Sequence, residues 1–115
     1  MIRGGLVTLF VSDVNRAVRF YVETLGMKLV EEAGKGWAVV DAGDGFRLGL
    51  HEGGAVEGRG AFAPSVGFYP KVPIREAISI FENRGVRFDV NEDGPVTLAH
   101  FRDPDDNVLY LCQQR

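Results

Sequence analysis

Leu6-Val7-Thr8-Leu9-Phe10-Val11-Ser12-Asp13 and Ser65-Val66-Gly67-Phe68-Tyr69 each open one half of the chain, and the two halves are built alike. The first half continues with a helical stripe ending Thr24-Leu25-Gly26-Met27 and then Gly43-Asp44-Gly45-Phe46-Arg47-Leu48-Gly49-Leu50. The second continues with a stripe ending Asn83-Arg84-Gly85-Val86 and then Asp103-Pro104-Asp105-Asp106-Asn107-Val108-Leu109-Tyr110-Leu111. Leu6 and Ser65 lie 59 residues apart, as do Gly26 and Gly85, and Leu50 and Leu111 lie 61 apart. Landmarks at so constant a spacing mark a repeated unit, so the fold of one half predicts the fold of the other.

From Leu6 to Val11 the residues are apolar and rich in β-branched types, with Val7, Leu9 and Val11 on one face and Leu6, Thr8 and Phe10 on the other. Ser12 or Asp13 can cap the next helix, in which Val14, Ala17, Val18, Tyr21 and Leu25 recur at the spacing of one buried stripe. Gly26 supplies the left-handed stop. Short strands are predicted at Lys28–Glu31, Trp37–Asp41 and Phe46–His51. The second half repeats the order, with a strand at Ser65–Tyr69 and a helix opened by Pro73, striped by Ile74, Ala77, Ile78 and Phe81 and stopped by Gly85. Strands at Arg87–Val90, Thr97–Phe101 and Val108–Cys112 complete it.

The expected architecture is α+β, with two tandem βαβββ modules, residues 1–52 and 65–115, joined by a Gly- and Ala-rich linker at 53–64. At 115 residues and 45% apolar composition the two modules are expected to make a single domain. Each module buries one sheet face under its helix and leaves the other in need of cover. Two such faces, paired within the chain or across a dimer, curl into a half-barrel sheet around a cavity suited to a small ligand.

Composition narrows the partners. A formal net charge of −3, with acidic and basic residues interspersed, gives no electrostatic footprint for nucleic acid or an anionic membrane. No segment has the length of a membrane span, and the first residues lack the apolar run of a signal peptide. The single cysteine, Cys112, permits no intrachain disulfide, which fits a cytoplasmic protein.

Val7–Asp13, Phe20-Tyr21, Leu25-Gly26 and Phe101-Arg102-Asp103-Pro104-Asp105-Asp106-Asn107 resemble the vicinal oxygen chelate superfamily. That group includes glyoxalases, extradiol ring-cleaving dioxygenases, fosfomycin-modifying enzymes and bleomycin-binding antibiotic resistance proteins. The resemblance spans nearly the whole chain and implies the fold more strongly than any one activity. It also implies a divalent metal held by His or Glu on the first and last strands of each module. The positions concerned are Leu6, Gly49, Ser65 and Tyr110, none of which carries a His or a carboxylate. A zinc- or iron-type site needs about three protein ligands, so no metal and no cofactor are expected. His51 and His100 are the two residues from which a displaced metal site would start, and a third ligand is missing.

Alternation along the strands sends Thr8, Phe10, Arg47, His51, Tyr69, His100 and Tyr110 to the face opposite the helices, with Trp37 joining them from a middle strand. These are the candidate ligand-binding residues. Phe10, Trp37, Tyr69 and Tyr110 offer flat surfaces for stacking. Arg47 offers a fork for a carboxylate or phosphate, or else a solvated strand-edge cation. His100 and Tyr110 are the one candidate acid–base pair. The chain therefore reads as a metal-free binding protein of the glyoxalase and bleomycin-resistance type and as a homodimer. Its expected ligand is an aromatic or amphipathic small molecule, with Arg47 providing for an anionic one. Two other readings stay open: a glyoxalase-like lyase or dioxygenase-like enzyme using His100 and Tyr110 or a displaced metal, and a structural module with a closed pocket.

Overall fold

The structure is a computed structural model that describes residues 1–53 and 64–115. The linker expected at 53–64 lies outside the described residues except for its two ends. The chain divides into two compact units, one in each described stretch.

The first module runs β1 (Val7–Val11), α1 (Val14–Arg19), β2 (Lys28–Ala33), β3 (Trp37–Asp41) and β4 (Arg47–Glu52). Its four strands form an open sheet in the order β1-β4-β3-β2, with β1 parallel to β4 and the other pairs antiparallel. The second module repeats this as β5 (Ser65–Phe68), α2 (Ile74–Glu82), β6 (Asp89–Asp93), β7 (Val96–Arg102) and β8 (Val108–Gln114). Its sheet order is β5-β8-β7-β6, with β5 parallel to β8. The α+β class and the paired βαβββ plan are as the sequence predicts.

Local chemistry explains each start and stop. Asp13 caps α1, its carboxylate accepting from the Arg16 backbone N–H at 3.1 Å. The helix then widens into a π-helical turn at Phe20–Thr24, where the Leu25 N–H reaches back five residues to the Phe20 carbonyl at 3.0 Å. Tyr21 is fully buried in this turn, and Gly26, at φ 81°, takes the left-handed stop. In the second module Pro73 stands at the N-cap of α2 and has no side chain to offer the helix. Gln113, at the far end of β8, does the capping, its Oε1 accepting from the Ile74 N–H at 2.9 Å.

Each helix packs on its own sheet: α1 on β3 and β4, and α2 on β8. The side chains beneath are buried, Ala38, Val40, Leu48 and Leu50 in the first module and Ala99, Phe101, Leu109 and Leu111 in the second. Each buried leucine contributes about 1.5–3 kcal/mol through removal from water.

Two expectations shift. The strand expected at Arg87–Val90 pairs instead over Asp89–Asp93. Asn91-Glu92-Asp93 is polar, but an edge strand with one uncovered flank tolerates polar residues, and the turn falls at Gly94, at φ 57°. Val7, placed in the core by alternation, is 37% exposed, because it stands at the outer end of an edge strand. No helix among the described residues is long and apolar enough to cross a membrane.

Candidate functional site

The sheet face turned away from the helix differs sharply between the modules. In the first, the strand register sets two rows side by side. One runs Glu31, Val39, Gly49, Thr8, and the other runs Ala33, Trp37, His51, Phe10. Paired residues on neighbouring strands share a face, so all eight belong to the helix-free side.

The second row is aromatic. His51 lies between Phe10 and Trp37, with ring centroids 5.5 Å and 6.0 Å away. Its Nδ1 donates to the Glu52 carbonyl at 2.7 Å. Trp37 leans across into the first row, its Nε1 donating to Glu31 at 3.2 Å. The far end of the indole covers Gly49: a Cβ built at that glycine would stand 2.4 Å from Cη2 of Trp37, 2.9 Å from its Cζ3 and 3.1 Å from Leu6. Between these two anchors Val39 is only 4% exposed. The ring lies flat because position 49 has no side chain.

Arg47 sits toward the opposite end of the face, beside Asp41 across the β3–β4 pair. Its Nε is 3.4 Å from Asp41, whose other oxygen accepts from the Gly43 N–H at 2.6 Å. Arg47 is thus partly neutralised by a carboxylate that the turn holds in place. Thr8 is exposed next to Gly49.

The second module's face carries the row Asp89, His100, Tyr110, Gly67. His100 and Tyr110 are both half-buried, with ring centroids 5.3 Å apart at 36°. The phenol lies over Gly67, where a built Cβ would be 2.4 Å from Cζ, 2.5 Å from Cε2 and 2.6 Å from the hydroxyl oxygen. Tyr69 stands just past β5 and is 88% exposed. The structure therefore gathers Phe10, Trp37 and His51 in one module and His100 and Tyr110 in the other, while Arg47 and Tyr69 lie at the margins of their faces.

Sequence reasoning missed Glu31 and Asp89, which become visible only when the register sets them beside these rings. It also missed the seating of the rings. The available signal was a glycine inside a strand of each module, which often marks close approach by another group.

In the Asp103–Asn107 turn the Asp103 carboxylate is structural. Asp103 is buried, with one oxygen accepting from the backbone N–H groups of Asp105 and Asn107, both at 2.9 Å, and the other from the Asn107 side chain at 2.8 Å. Among the described residues, no three His, Cys, Asp or Glu side chains cluster in a way that could hold a metal ion. Nor do the positions implied for a metal fit one. Gly49 is covered by Trp37, Tyr110 is folded onto Gly67, and Leu6 and Ser65 offer no ligand of the required kind.

The profile of the glyoxalase/bleomycin resistance protein/dioxygenase superfamily matches residues 5–113. Solved structures agree on the fold. A glyoxalase/bleomycin resistance protein/dioxygenase from Alicyclobacillus acidocaldarius is 19% identical, covering 97% of this chain and 91% of its own, with a TM-score of 0.79. A glyoxalase family protein from Enterococcus faecalis is 19% identical over 96% of this chain and 97% of its own, with a TM-score of 0.77. A virulence protein from Salmonella typhimurium is 21% identical over 100% of this chain and 98% of its own, with a TM-score of 0.75. With the profile spanning both modules and the same βαβββ plan in each, this chain belongs to the glyoxalase/bleomycin resistance protein/dioxygenase superfamily.

Proposed function

We propose that the protein is a metal-free binding member of its superfamily that holds the flat ring of an aromatic or amphipathic small molecule. The observation that carries this reading is the aromatic row of the first module, in which the Trp37 indole lies over Gly49 and His51 and Phe10 continue the surface outward. A ring held against a sheet presents its face for stacking, and such contacts contribute about 0.5–1.5 kcal/mol beyond area burial. An anionic substituent on the ligand would have to compete with Asp41 for Arg47, which favours a neutral or weakly charged ring.

Trp37 is the only tryptophan in the chain, so its fluorescence reports on this face alone. Titration with a panel of flat aromatic compounds is expected to give saturable quenching and a raised melting temperature, and Trp37→Ala should weaken the binding about tenfold or more. A panel that produces neither signal would leave the structural reading in its place. Metal-dependent turnover of a 2-oxoaldehyde–thiol adduct or a catechol would replace it with an enzymatic one. Self-association into a homodimer is proposed with it, supported by the exposed apolar side chains of Leu6, Val7, Phe10 and Phe46 in the first module. Light scattering at several concentrations tests that part, and a monomer throughout would remove it.

A further inference from the structure

We infer that Glu31 is the positioning residue of the first module's aromatic row. Its carboxylate holds the Trp37 indole flat over Gly49, so that a ligand meets the face of a ring already in place. This role presupposes the ring-binding function proposed above and adds what keeps the ring in its binding posture.

A β-bulge aims the carboxylate. Lys28 stands opposite Asp41 and Leu29 opposite Val40, so an unbroken ladder would bring Glu31 opposite Ala38, on the side that faces the helix. The register instead shifts between Leu29 and Glu31. Val30 becomes the extra residue, and Glu31 stands opposite Val39 on the helix-free face. From there its Oε2 accepts from the Trp37 Nε1 at 3.2 Å. Bulges beside binding sites commonly re-aim one side chain in this way. The second module has no such shift, for Asp89–Asp93 pairs with Val96–His100 in continuous register. The bulge therefore belongs to the module that carries the indole.

The indole is fixed at both ends. Its six-membered ring lies over Gly49, which supplies room for a flat posture and no directional attraction. The hydrogen bond to Glu31 supplies the direction, because Nε1 is the only polar atom of the ring. Among the described residues no cation pairs with Glu31, so the indole is its partner. A side chain ordered before the ligand arrives spares the complex the entropy of ordering it.

The place of Glu31 separates this role from a structural one. It is exposed, it stands on the edge strand β2, and it supports no buried side chain of the core. Losing an exposed carboxylate there leaves stability nearly unchanged, whereas it removes one of the two anchors of the ring.

With one tryptophan in the chain, the indole N–H gives a single NMR resonance and the fluorescence anisotropy reports a single side chain. In the ligand-free protein, Glu31→Ala is expected to shift that resonance, speed exchange of its proton with solvent and lower the anisotropy. Glu31→Gln keeps an acceptor oxygen and should restore most of each signal. The ring probe is caffeine, which is flat and uncharged. Glu31→Ala should weaken its binding about three- to tenfold, the cost of ordering one freed side chain, with the melting temperature unchanged. An indole resonance and anisotropy unaltered in Glu31→Ala overturn the inference. So does a freed ring that binds caffeine as tightly as before, or a Glu31→Gln variant that behaves like Glu31→Ala. If caffeine fails to bind the wild-type protein while Glu31→Ala still frees the indole, the ring-binding function falls and Glu31 stands as the anchor of the ring.

Discussion

The two modules solve the same problem with opposite residues. Each lays one aromatic ring over one glycine on its helix-free face. In the first the ring comes from β3 and the glycine from β4, whereas in the second the ring comes from β8 and the glycine from β5. Gly49 and Tyr110 occupy equivalent register positions, as do Thr8 and Gly67. A duplicated backbone thus carries two unrelated surfaces, one an aromatic shelf and the other a polar line. The repeated part is the buried side, where Leu48 and Leu109 match.

Substitutions at matched positions can break that comparison. Leu48→Ala and Leu109→Ala, both at fully buried sites, should each lower stability by about 2–5 kcal/mol in urea unfolding, and a markedly unequal pair would show that the two cores are not equivalent. Gly49→Ala and Gly67→Ala should each lose about 1–3 kcal/mol as the ring is displaced, with a shift in Trp37 emission for the first only. In a Trp37→Ala background the Gly49→Ala loss should shrink by roughly 1 kcal/mol or more, which a double-mutant cycle measures. Asp103→Ala strips three hydrogen bonds from the second module's turn and should lose about 1–3 kcal/mol. In the first module Asp41, whose register equivalent is Arg102, carries one backbone bond and a half-exposed ion pair, so Asp41→Ala should lose less. Smallest is Arg47→Ala, expected below about 1 kcal/mol because the pair is half exposed, and shrinking further at high salt. Val108 stands at the equivalent place in the second module, where no such salt dependence is expected.

The fold was legible because it rests on periodicities. Alternation in Leu6–Val11, the stripe from Val14 to Leu25 and the stops at Gly26 and Gly85 all reappear in the structure, and the doubled spacing carried the reading of one half into the other. Polar Asn91-Glu92-Asp93 hid the edge strand β6, since nothing on an uncovered edge demands apolar residues. Of the candidate site, the face assignments of Thr8, Phe10, Trp37, His51, His100 and Tyr110 came from alternation. Alternation does not fix register between strands. The neighbours that matter, Glu31 beside Trp37 and Asp89 beside His100, therefore emerged only when the strands were paired.

The capping of α2 by Gln113 bears on how the chain is made. β4, which closes the first sheet against β1, is complete at Glu52, and the Gly53 N–H adds a bond to Val11 at 2.9 Å. In the second module the start of the helix waits for Gln113, and the β6–β7 turn is held from Arg115, through the Pro95 and Gly94 carbonyls at 2.8 and 3.0 Å. During synthesis from the N-terminus, every strand and helix of the first module is made before those of the second. The second cannot finish until Arg115 has cleared the ribosome.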